Sequence, residues 1–199
     1  MRGVIIHEFG PFDTHKLEEF PTPETGPNDV LIDVHVIGVN FPDTLMFQGL
    51  YQTKPDRPFV PGRDAAGVVV AVGENVTRFK SGDRVSAQVR WGAYAEQVAA
   101  PQERCFHIPD GMDFASAAAM GTVYPTAHVS LMVCGQYKTG ESVLVNGAAG
   151  GIGLASVQIA KAKGATVIAG DIDDEKRQLA LDSGADHAID LTVDDLREN

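Results

Sequence analysis

Cysteine is scarce in this sequence, which contains only Cys105 and Cys134. Each stands alone, without a second thiol or a histidine at the spacing that a metal site requires. A disulfide framework and a zinc ribbon are therefore excluded. The composition favours a reducing, cytoplasmic setting.

Long apolar runs and clusters of basic residues are also missing. No window approaches the roughly 20 apolar residues of a membrane span. The first residues place charges on both sides of a very short apolar stretch, which predicts neither an export signal nor an anchor. The net charge is −11, without the basic patch that a phosphate backbone requires. We expect no membrane partner and no specific nucleic-acid partner.

What the sequence does contain falls into two patterns. Up to about residue 109, short apolar runs at 3–6, 30–39, 67–72 and 93–99 are separated by turn residues, which predicts a β-rich barrel or sandwich. Asp113 is then predicted to cap an alanine-rich helix, and Pro125 to begin a second one. From residue 142 the predicted strands 142–146, 166–171 and 187–189 alternate with the predicted helices 152–163 and 173–181. This alternation is typical of an α/β fold with a parallel sheet.

A glycine-rich turn follows the first of these later strands and precedes a helix, which is the context of a dinucleotide fingerprint. Gly150 lets the backbone approach a pyrophosphate, and Gly153 lets the helix pack closely on the strand. The amides of the first helical turn, at Gly151 and Ile152, are predicted to point at the anion. Ala148 stands where the common pattern has its first glycine. A plain packing turn is the alternative, and the context favours dinucleotide binding.

Asp171 ends the next predicted strand, where a carboxylate can accept hydrogen bonds from the ribose hydroxyls of a dinucleotide. A carboxylate there also repels the 2′-phosphate of NADPH, so NADH is the favoured cofactor. Lys176 and Arg177 lie just beyond and are within reach of such a phosphate. Solvated charges on a surface helix are an equally good interpretation of these two residues.

Several motifs together resemble, in order, the medium-chain dehydrogenase/reductase family over essentially the whole chain: residues 36–43, 61–69, 82–85, 92–96 and 126–127, and the glycine-rich turn. The resemblance implies a GroES-like catalytic domain over residues 1–122 and a partial Rossmann-like NAD(P)-binding domain over residues 123–199, with the active site between them. A full cofactor domain of this family continues for further strands, so the chain resembles a truncated member. The complete protein is expected to be a homodimer.

The resemblance also indicates which branch of the family to expect. Members with a catalytic zinc hold it with cysteine, histidine and glutamate at positions that here look to be Asn40, Arg63 with Asp64, and Thr122. These residues offer neither thiolate nor imidazole, so no metal site is predicted. We expect Arg63 and Asp64 to form an ion pair instead. The chain is thus similar to the zinc-independent quinone oxidoreductases.

The implied reaction is hydride transfer from NAD(P)H to a quinone or an α,β-unsaturated carbonyl. Without a metal, hydrogen-bond donors must stabilise the charge on the carbonyl oxygen. The resemblance points to Asn40 and Tyr51 as these donors, to Asp43 as a further catalytic residue, and to Asn40 and Thr126 beside the nicotinamide. Structural roles explain these residues about as well as catalytic ones. Asn40 is then a helix cap, Tyr51 a loop aromatic and Asp43 an acid in the first turn of a helix.

Two other functions remain open from the sequence. One is an enoyl- or acryloyl-thioester reductase of the same family, which a basic pocket for a coenzyme A phosphate would distinguish. The other is a crystallin-like nucleotide-binding protein without turnover.

Overall fold

The structure is a computed structural model that describes residues 1–193. The chain divides into two compact units, and the division falls between Thr122 and Val123. Among the described residues, no helix combines the length and the apolar character that crossing a bilayer would require.

The first unit is dominated by β-structure. Its strands are β1 (Arg2–Val4), β2 (Leu17–Glu19), β3 (Asp29–Gly38), β4 (Asp64–Val72), β5 (Arg84–Gln88), β6 (Gln97–Pro101) and β7 (Cys105–His107). Its helices are α1 (Phe41–Phe47) and the first part of α2 (Phe114–His128), with single 3-10 turns at Phe12–Thr14 and Gln102–Arg104. Five of the strands form one antiparallel sheet in the order β6-β3-β4-β5-β7, whereas β1 pairs with β2.

The core of this unit consists of small and β-branched side chains that project from one face of the sheet. Val30, Ile32, Val69, Val85 and Val98 are each at most 3% exposed. β-Branched residues suit this position because they pack well on a pleated surface. The predicted β-rich pattern of the first half is therefore confirmed.

Two strand boundaries differ from the prediction. The apolar run 93–99 contributes only its end to β6, because the residues before Gln97 lie in a loop. The run 3–6 is a strand only as far as Val4, since Ile6 makes an isolated bridge to Phe59. Ile6 and Ala93 are thus fully buried although neither belongs to a named strand.

The second unit contains a parallel sheet. Its elements are β8 (Ser142–Asn146), α3 (Gly151–Ala162), β9 (Thr166–Asp171), α4 (Asp174–Asp182) and β10 (His187–Asp190), and the strand order is β10-β9-β8. Both strand pairs are parallel. The expected α/β fold, a GroES-like β-rich part followed by part of a Rossmann-like sheet, is confirmed.

The sequence had predicted that Pro125 begins a second helix, and this prediction is wrong. Pro125 lies inside α2, which Asp113 caps by accepting a hydrogen bond from the Ser116 amide at 2.7 Å. The helix continues directly into the π-helical turn Val129–Cys134. Proline fixes φ at a helical value, so the chain stays helical here although Pro125 has no N–H to donate to the preceding turn.

Candidate active site and dinucleotide-binding turn

A buried carboxylate at the start of β4 organises the polar side chains of the first unit. Asp64 is 1% exposed. Its Oδ2 accepts a hydrogen bond from Asn40 Nδ2 at 2.8 Å, and its Oδ1 accepts one from Thr122 Oγ1 at 3.0 Å. The structure thus brings together three positions that the resemblance had assigned to a vacated zinc site.

Glycines make room for this carboxylate. A Cβ on Gly121 would lie 2.5 Å from Asp64 Oδ1, and a Cβ on Gly38 would lie 2.9 Å from Asp64 Cβ. Both distances are shorter than real side-chain contacts, so larger residues would displace the acid. The sequence had given no reason to single out either glycine for this role.

These residues do not suit a catalytic zinc ion. An amide, a hydroxyl and a single carboxylate lack the thiolate and imidazole donors that hold zinc in such enzymes. Among residues 1–193, no group of three or more His, Cys, Asp and Glu side chains is arranged to bind a metal.

A second buried carboxylate, Asp43, lies in the first turn of α1. Its Oδ2 accepts hydrogen bonds from the Asn40 backbone amide at 2.8 Å and from the Tyr94 hydroxyl at 2.9 Å. Its Oδ1 is buried and has no partner within the part of the chain that the structure describes. Asn40 therefore contacts both acids, Asp43 through its backbone and Asp64 through its side chain.

Burial raises the pKa of both carboxyl groups above the ordinary value. For Asp43 the rise is partly offset by the hydrogen bonds from Asn40 and Tyr94 and by the charge of Arg63. For Asp64 it is partly offset by the bonds from Asn40 and Thr122. Burial, and then the neighbouring Asp43 carboxylate, raise the pKa of Tyr94 as well, so this phenol keeps its proton and remains a donor.

The sequence had predicted an ion pair between Arg63 and Asp64, but the structure shows a different partner for Arg63. Its Nη1 instead donates to the Tyr51 hydroxyl oxygen at 3.0 Å, and the guanidinium carbon lies 5.9 Å from the centre of the Tyr51 ring. Asp64 already accepts from neutral donors on two sides, which leaves the guanidinium to turn towards the phenol. Because Tyr51 accepts this bond, its own hydrogen stays available for donation.

In the second unit, the turn between β8 and α3 has the backbone of an anion-binding site. Leu154 makes the first helical bond, to the Gly150 carbonyl at 2.8 Å. The amides of Gly151, Ile152 and Gly153 precede that bond, and within residues 1–193 none of them has an acceptor. Free amides at a helix N-terminus, with the helix dipole behind them, are suited to hold a phosphate.

The preceding amides of the turn are already used. Those of Gly147 and Ala148 both donate to the Gly170 carbonyl, and that of Gly150 donates to the Gly147 carbonyl. Ala148 is fully buried. Of the residues predicted to bind a cofactor, Ala148 and Gly150 therefore shape the turn, whereas Gly151, Ile152 and Gly153 present amides.

Helix α3 buries a face that consists mostly of small residues. Ala155 is buried, but Ile152 is 47% exposed, and the buried positions are Gly153, Ser156, Val157 and Ala160. Gly153 must be glycine, because a Cβ there would lie 2.3 Å from the Gly147 carbonyl oxygen.

Asp171 lies at the end of β9, beside the glycine-rich turn. The side chain is 5% exposed. Its two carboxylate oxygens accept hydrogen bonds from the Ala149 amide at 3.0 Å and from the Ile172 amide at 2.9 Å. This acid therefore ties the turn to the neighbouring strand, a role that the sequence did not reveal.

Both cations that follow β9 are paired with acids. Lys176 Nζ lies 3.3 Å from Asp173, which also caps α4. Arg177 contacts Asp174, and it lies 3.0 Å from Asp190. The end of the sheet thus carries more negative than positive charge. The remaining predicted cofactor contact, Thr126, is exposed on α2.

Two family models match the chain. Residues 26–110 match the alcohol dehydrogenase GroES-like domain, and residues 151–199 match the family described as zinc-binding dehydrogenase. These ranges lie on either side of the division between the two units.

Known proteins resemble the chain over nearly its whole length. Human quinone oxidoreductase is 41% identical over 93% of this chain and 57% of its own length. The rat synaptic vesicle membrane protein VAT-1 homolog is 38% identical over 98% of this chain and 49% of its own. The crystal structure of Escherichia coli quinone oxidoreductase complexed with NADPH superimposes with a TM-score of 0.91 at 33% identity, covering 100% of this chain and 61% of that one. The chain thus spans about half to three-fifths of the length of these relatives.

A GroES-like sheet followed by part of a Rossmann-like sheet is the fold of the medium-chain dehydrogenase/reductase family. The chain belongs to the medium-chain dehydrogenase/reductase family, and the relatives above place it beside the quinone oxidoreductases of that family.

Proposed function

We propose that the chain is part of a zinc-independent reductase that uses a nicotinamide dinucleotide to reduce a quinone or an α,β-unsaturated carbonyl compound. The observation that carries this proposal is the set of three free amides at Gly151, Ile152 and Gly153, which directly follow a strand of the parallel sheet. Quinone oxidoreductases among the relatives, one of them solved with NADPH, support the same reaction.

In this proposal the second unit binds the dinucleotide. The three free amides hold the pyrophosphate, and Gly153 lets the helix that carries them begin close against the turn. Thr126, exposed on α2, contributes a further contact to the cofactor. The bound nicotinamide supplies a hydride.

The first unit supplies donors for the oxygen of the substrate. The Tyr51 hydroxyl oxygen accepts a hydrogen bond from Arg63, so its O–H can donate to another acceptor. Asn40 gives one amide hydrogen to Asp64 and retains a second. Hydrogen-bond donors fixed in this way stabilise negative charge as it develops on a carbonyl oxygen. Asp43 acts through Asn40, whose backbone it holds, and is a positioning residue in this scheme.

NADH is the proposed cofactor, in contrast to the NADPH of the Escherichia coli relative. Asp171 lies at the strand end where a ribose would bind, and its oxygens retain lone pairs beyond the two amides that they accept. Lys176 and Arg177 are each held by an acid. Neither cation is therefore free to bind a 2′-phosphate without first losing its partner.

The cofactor site is tested with two variants at Gly150, the N-cap residue of α3. Its φ of −73° suits any residue, and Asp and Asn are both good N-caps, so Gly150→Asp and Gly150→Asn should fold alike. The aspartate places a negative charge beside the free amides, whereas asparagine is its neutral match. We expect NADH to bind to Gly150→Asp about tenfold more weakly than to Gly150→Asn, as followed by nicotinamide fluorescence. Equal affinity in the two variants would show that no pyrophosphate binds at the turn.

The reaction is tested by NADH consumption with menadione as the quinone. Tyr51→Phe should lower the rate about tenfold or more, since it removes one donor to the developing charge. Tyr137→Phe is the matched control, because the Tyr137 hydroxyl donates to a backbone carbonyl within the second unit. NADH binding without any menadione reduction would instead support a nucleotide-binding protein without turnover.

A further inference from the structure

One pocket of the first unit is basic, although the chain as a whole is acidic. It has a volume of about 260 Å³ and is lined by Met46, Tyr51, Thr53, Arg63, Arg90 and Trp91. The net charge of the chain is −11, yet no acidic side chain of residues 1–193 lines this pocket. Two arginines therefore line a space from which the described carboxylates are missing.

Neither guanidinium is neutralised by a direct ion pair. Within residues 1–193, the salt bridges include neither Arg63 nor Arg90. Arg63 donates one hydrogen bond to the Tyr51 hydroxyl, but its Nε is buried and has no partner among the described residues. A buried donor without an acceptor costs free energy, so this residue retains unused capacity to bind an acceptor.

The rest of the lining is suited to a flat ring. Tyr51 and Trp91 present aromatic side chains, and Met46 adds a buried, adaptable apolar surface. A planar ligand that carries an anionic oxygen group would match both properties, because guanidinium groups bind carboxylate and phosphate oxygens in a fixed, forked geometry.

We propose that Arg63, Arg90 and Trp91 form a subsite for an anionic group, so that the substrate is a carbonyl compound bearing a carboxylate or a phosphate. The inference deepens the proposed reductase function. It rests on that function in one respect, namely that the ligand of the pocket is the substrate of the enzyme. The pocket itself stands on its own residues. It also bears on the thioester alternative, since coenzyme A carries phosphates.

The pocket contains its own reporter, because Trp91 is the only tryptophan of the chain. The first experiment titrates the protein, without any dinucleotide, with benzoate, phenyl phosphate and the neutral isostere benzamide. Trp91 fluorescence follows binding, and ligand-observed saturation-transfer NMR repeats the titration independently of emission changes. We expect at least one of the two anions to bind about fivefold more tightly than benzamide, the gain of one modest ion pair.

Arg90→Gln is the test variant, since Arg90 is exposed and its replacement leaves the fold intact. It should weaken the anion about fivefold and leave benzamide binding unchanged. Arg104→Gln removes the same charge from an exposed position outside the pocket and should change neither affinity. Circular dichroism establishes that both variants are folded.

The two anions separate the two sources of the charge. Tighter binding of benzoate supports a carboxylate substrate, and tighter binding of phenyl phosphate supports a phosphate-bearing one. Equal binding of anions and benzamide, or an Arg90→Gln variant that binds the anion as wild type does, would overturn the proposal. Because no dinucleotide is present, that result would leave the cofactor test at Gly150 unaffected.

Discussion

Asn40 and Asp64 form a side-chain hydrogen bond of 2.8 Å that joins the start of α1 to the start of β4. The bond orients the Asn40 amide with its nitrogen towards the acid. Thr122 donates to the other oxygen of the same carboxylate. An acceptor with two donors is satisfied, and this explains how the buried carboxyl group is tolerated in the first unit.

Replacing this acceptor should therefore destabilise the first unit. Asp64→Asn replaces one of the two acceptor oxygens by an amide nitrogen. If this nitrogen is on the side of Asn40, two donors meet, and if it is on the side of Thr122, the hydroxyl must reverse its bond and act as acceptor. We expect the free energy of unfolding to fall by about 1–3 kcal/mol, the range for a buried unsatisfied polar group. Urea unfolding measures the change.

Asp33→Asn is the matched control for this prediction. Asp33 is exposed on β3, so the same substitution there should alter the free energy of unfolding by no more than about 0.5 kcal/mol. A similar loss of unfolding free energy in the two variants would mean that the hydrogen bonds of Asp64 do not stabilise the first unit.

Asp43→Asn should change stability in a pH-dependent way. The pKa of Asp43 is raised in the folded state, so the native protein binds a proton more readily than the unfolded chain does. This carboxyl group therefore contributes most to stability below its unfolded pKa of roughly 3.9, and that contribution is lost as the pH rises through the folded pKa. An asparagine is neutral throughout, and its oxygen can still accept from Asn40 and Tyr94.

The measurement is the unfolding free energy of wild type and Asp43→Asn in a series of buffers from acidic to neutral pH. The variant should gain stability relative to wild type as the pH rises. A relative stability that instead falls with rising pH would show that the charged carboxylate is favoured in the fold, for example by Arg63, which lowers its pKa.

Gly153→Ala should disrupt the glycine-rich turn. Its Cβ would meet the Gly147 and Ala148 carbonyl oxygens at 2.3 and 2.7 Å, and backbone atoms cannot rotate away as side chains can. We expect a loss of about 1–3 kcal/mol in unfolding free energy, together with loss of NADH binding. Thermal unfolding and nicotinamide fluorescence give the two readouts.

Gly151→Ala provides the comparison, because its Cβ would lie 3.2 Å from Val123 Cγ1, a side-chain atom that can move. This variant should keep both its stability and its affinity for NADH. If Gly151→Ala lowered stability and NADH affinity as much as Gly153→Ala does, close packing against backbone atoms would not explain why residue 153 is glycine.

Asp173→Asn should increase the affinity for NADPH relative to NADH. Asparagine still caps α4, but it no longer neutralises Lys176, which becomes free to bind a 2′-phosphate. Release of one partly exposed cation predicts a shift of about fivefold in the ratio of the two dissociation constants. Asp182→Asn, at the far end of α4, removes the same charge and should leave that ratio unchanged.

The sequence predicted the secondary structure from residue 142 to residue 190 closely, because β8, β9 and their helices follow simple periodicity and capping rules. Asp173 as the cap of α4 is an example. The catalytic roles of Asn40, Asp43 and Tyr51 stay predictions from the sequence. The structure shows that Asn40 contacts Asp43 and Asp64, and that Tyr51 contacts Arg63. Their partners could not be predicted, since Asn40 and Thr122 meet Asp64 only through the packing of distant segments. Tyr94 was visible only as part of a family motif, and its bond to Asp43 depends on the same tertiary contacts.

The position of Asp171 restricts how this protein could acquire a different cofactor during evolution. The residue that we propose to recognise a ribose also holds the Ala149 amide of the turn. A mutation that removed the carboxylate to admit a phosphate would leave that amide without its acceptor and loosen the turn on which the pyrophosphate is proposed to bind. An ancestor or descendant that used NADPH would need another acceptor for the Ala149 amide before, or together with, the loss of Asp171. A switch in cofactor therefore requires more than one mutation.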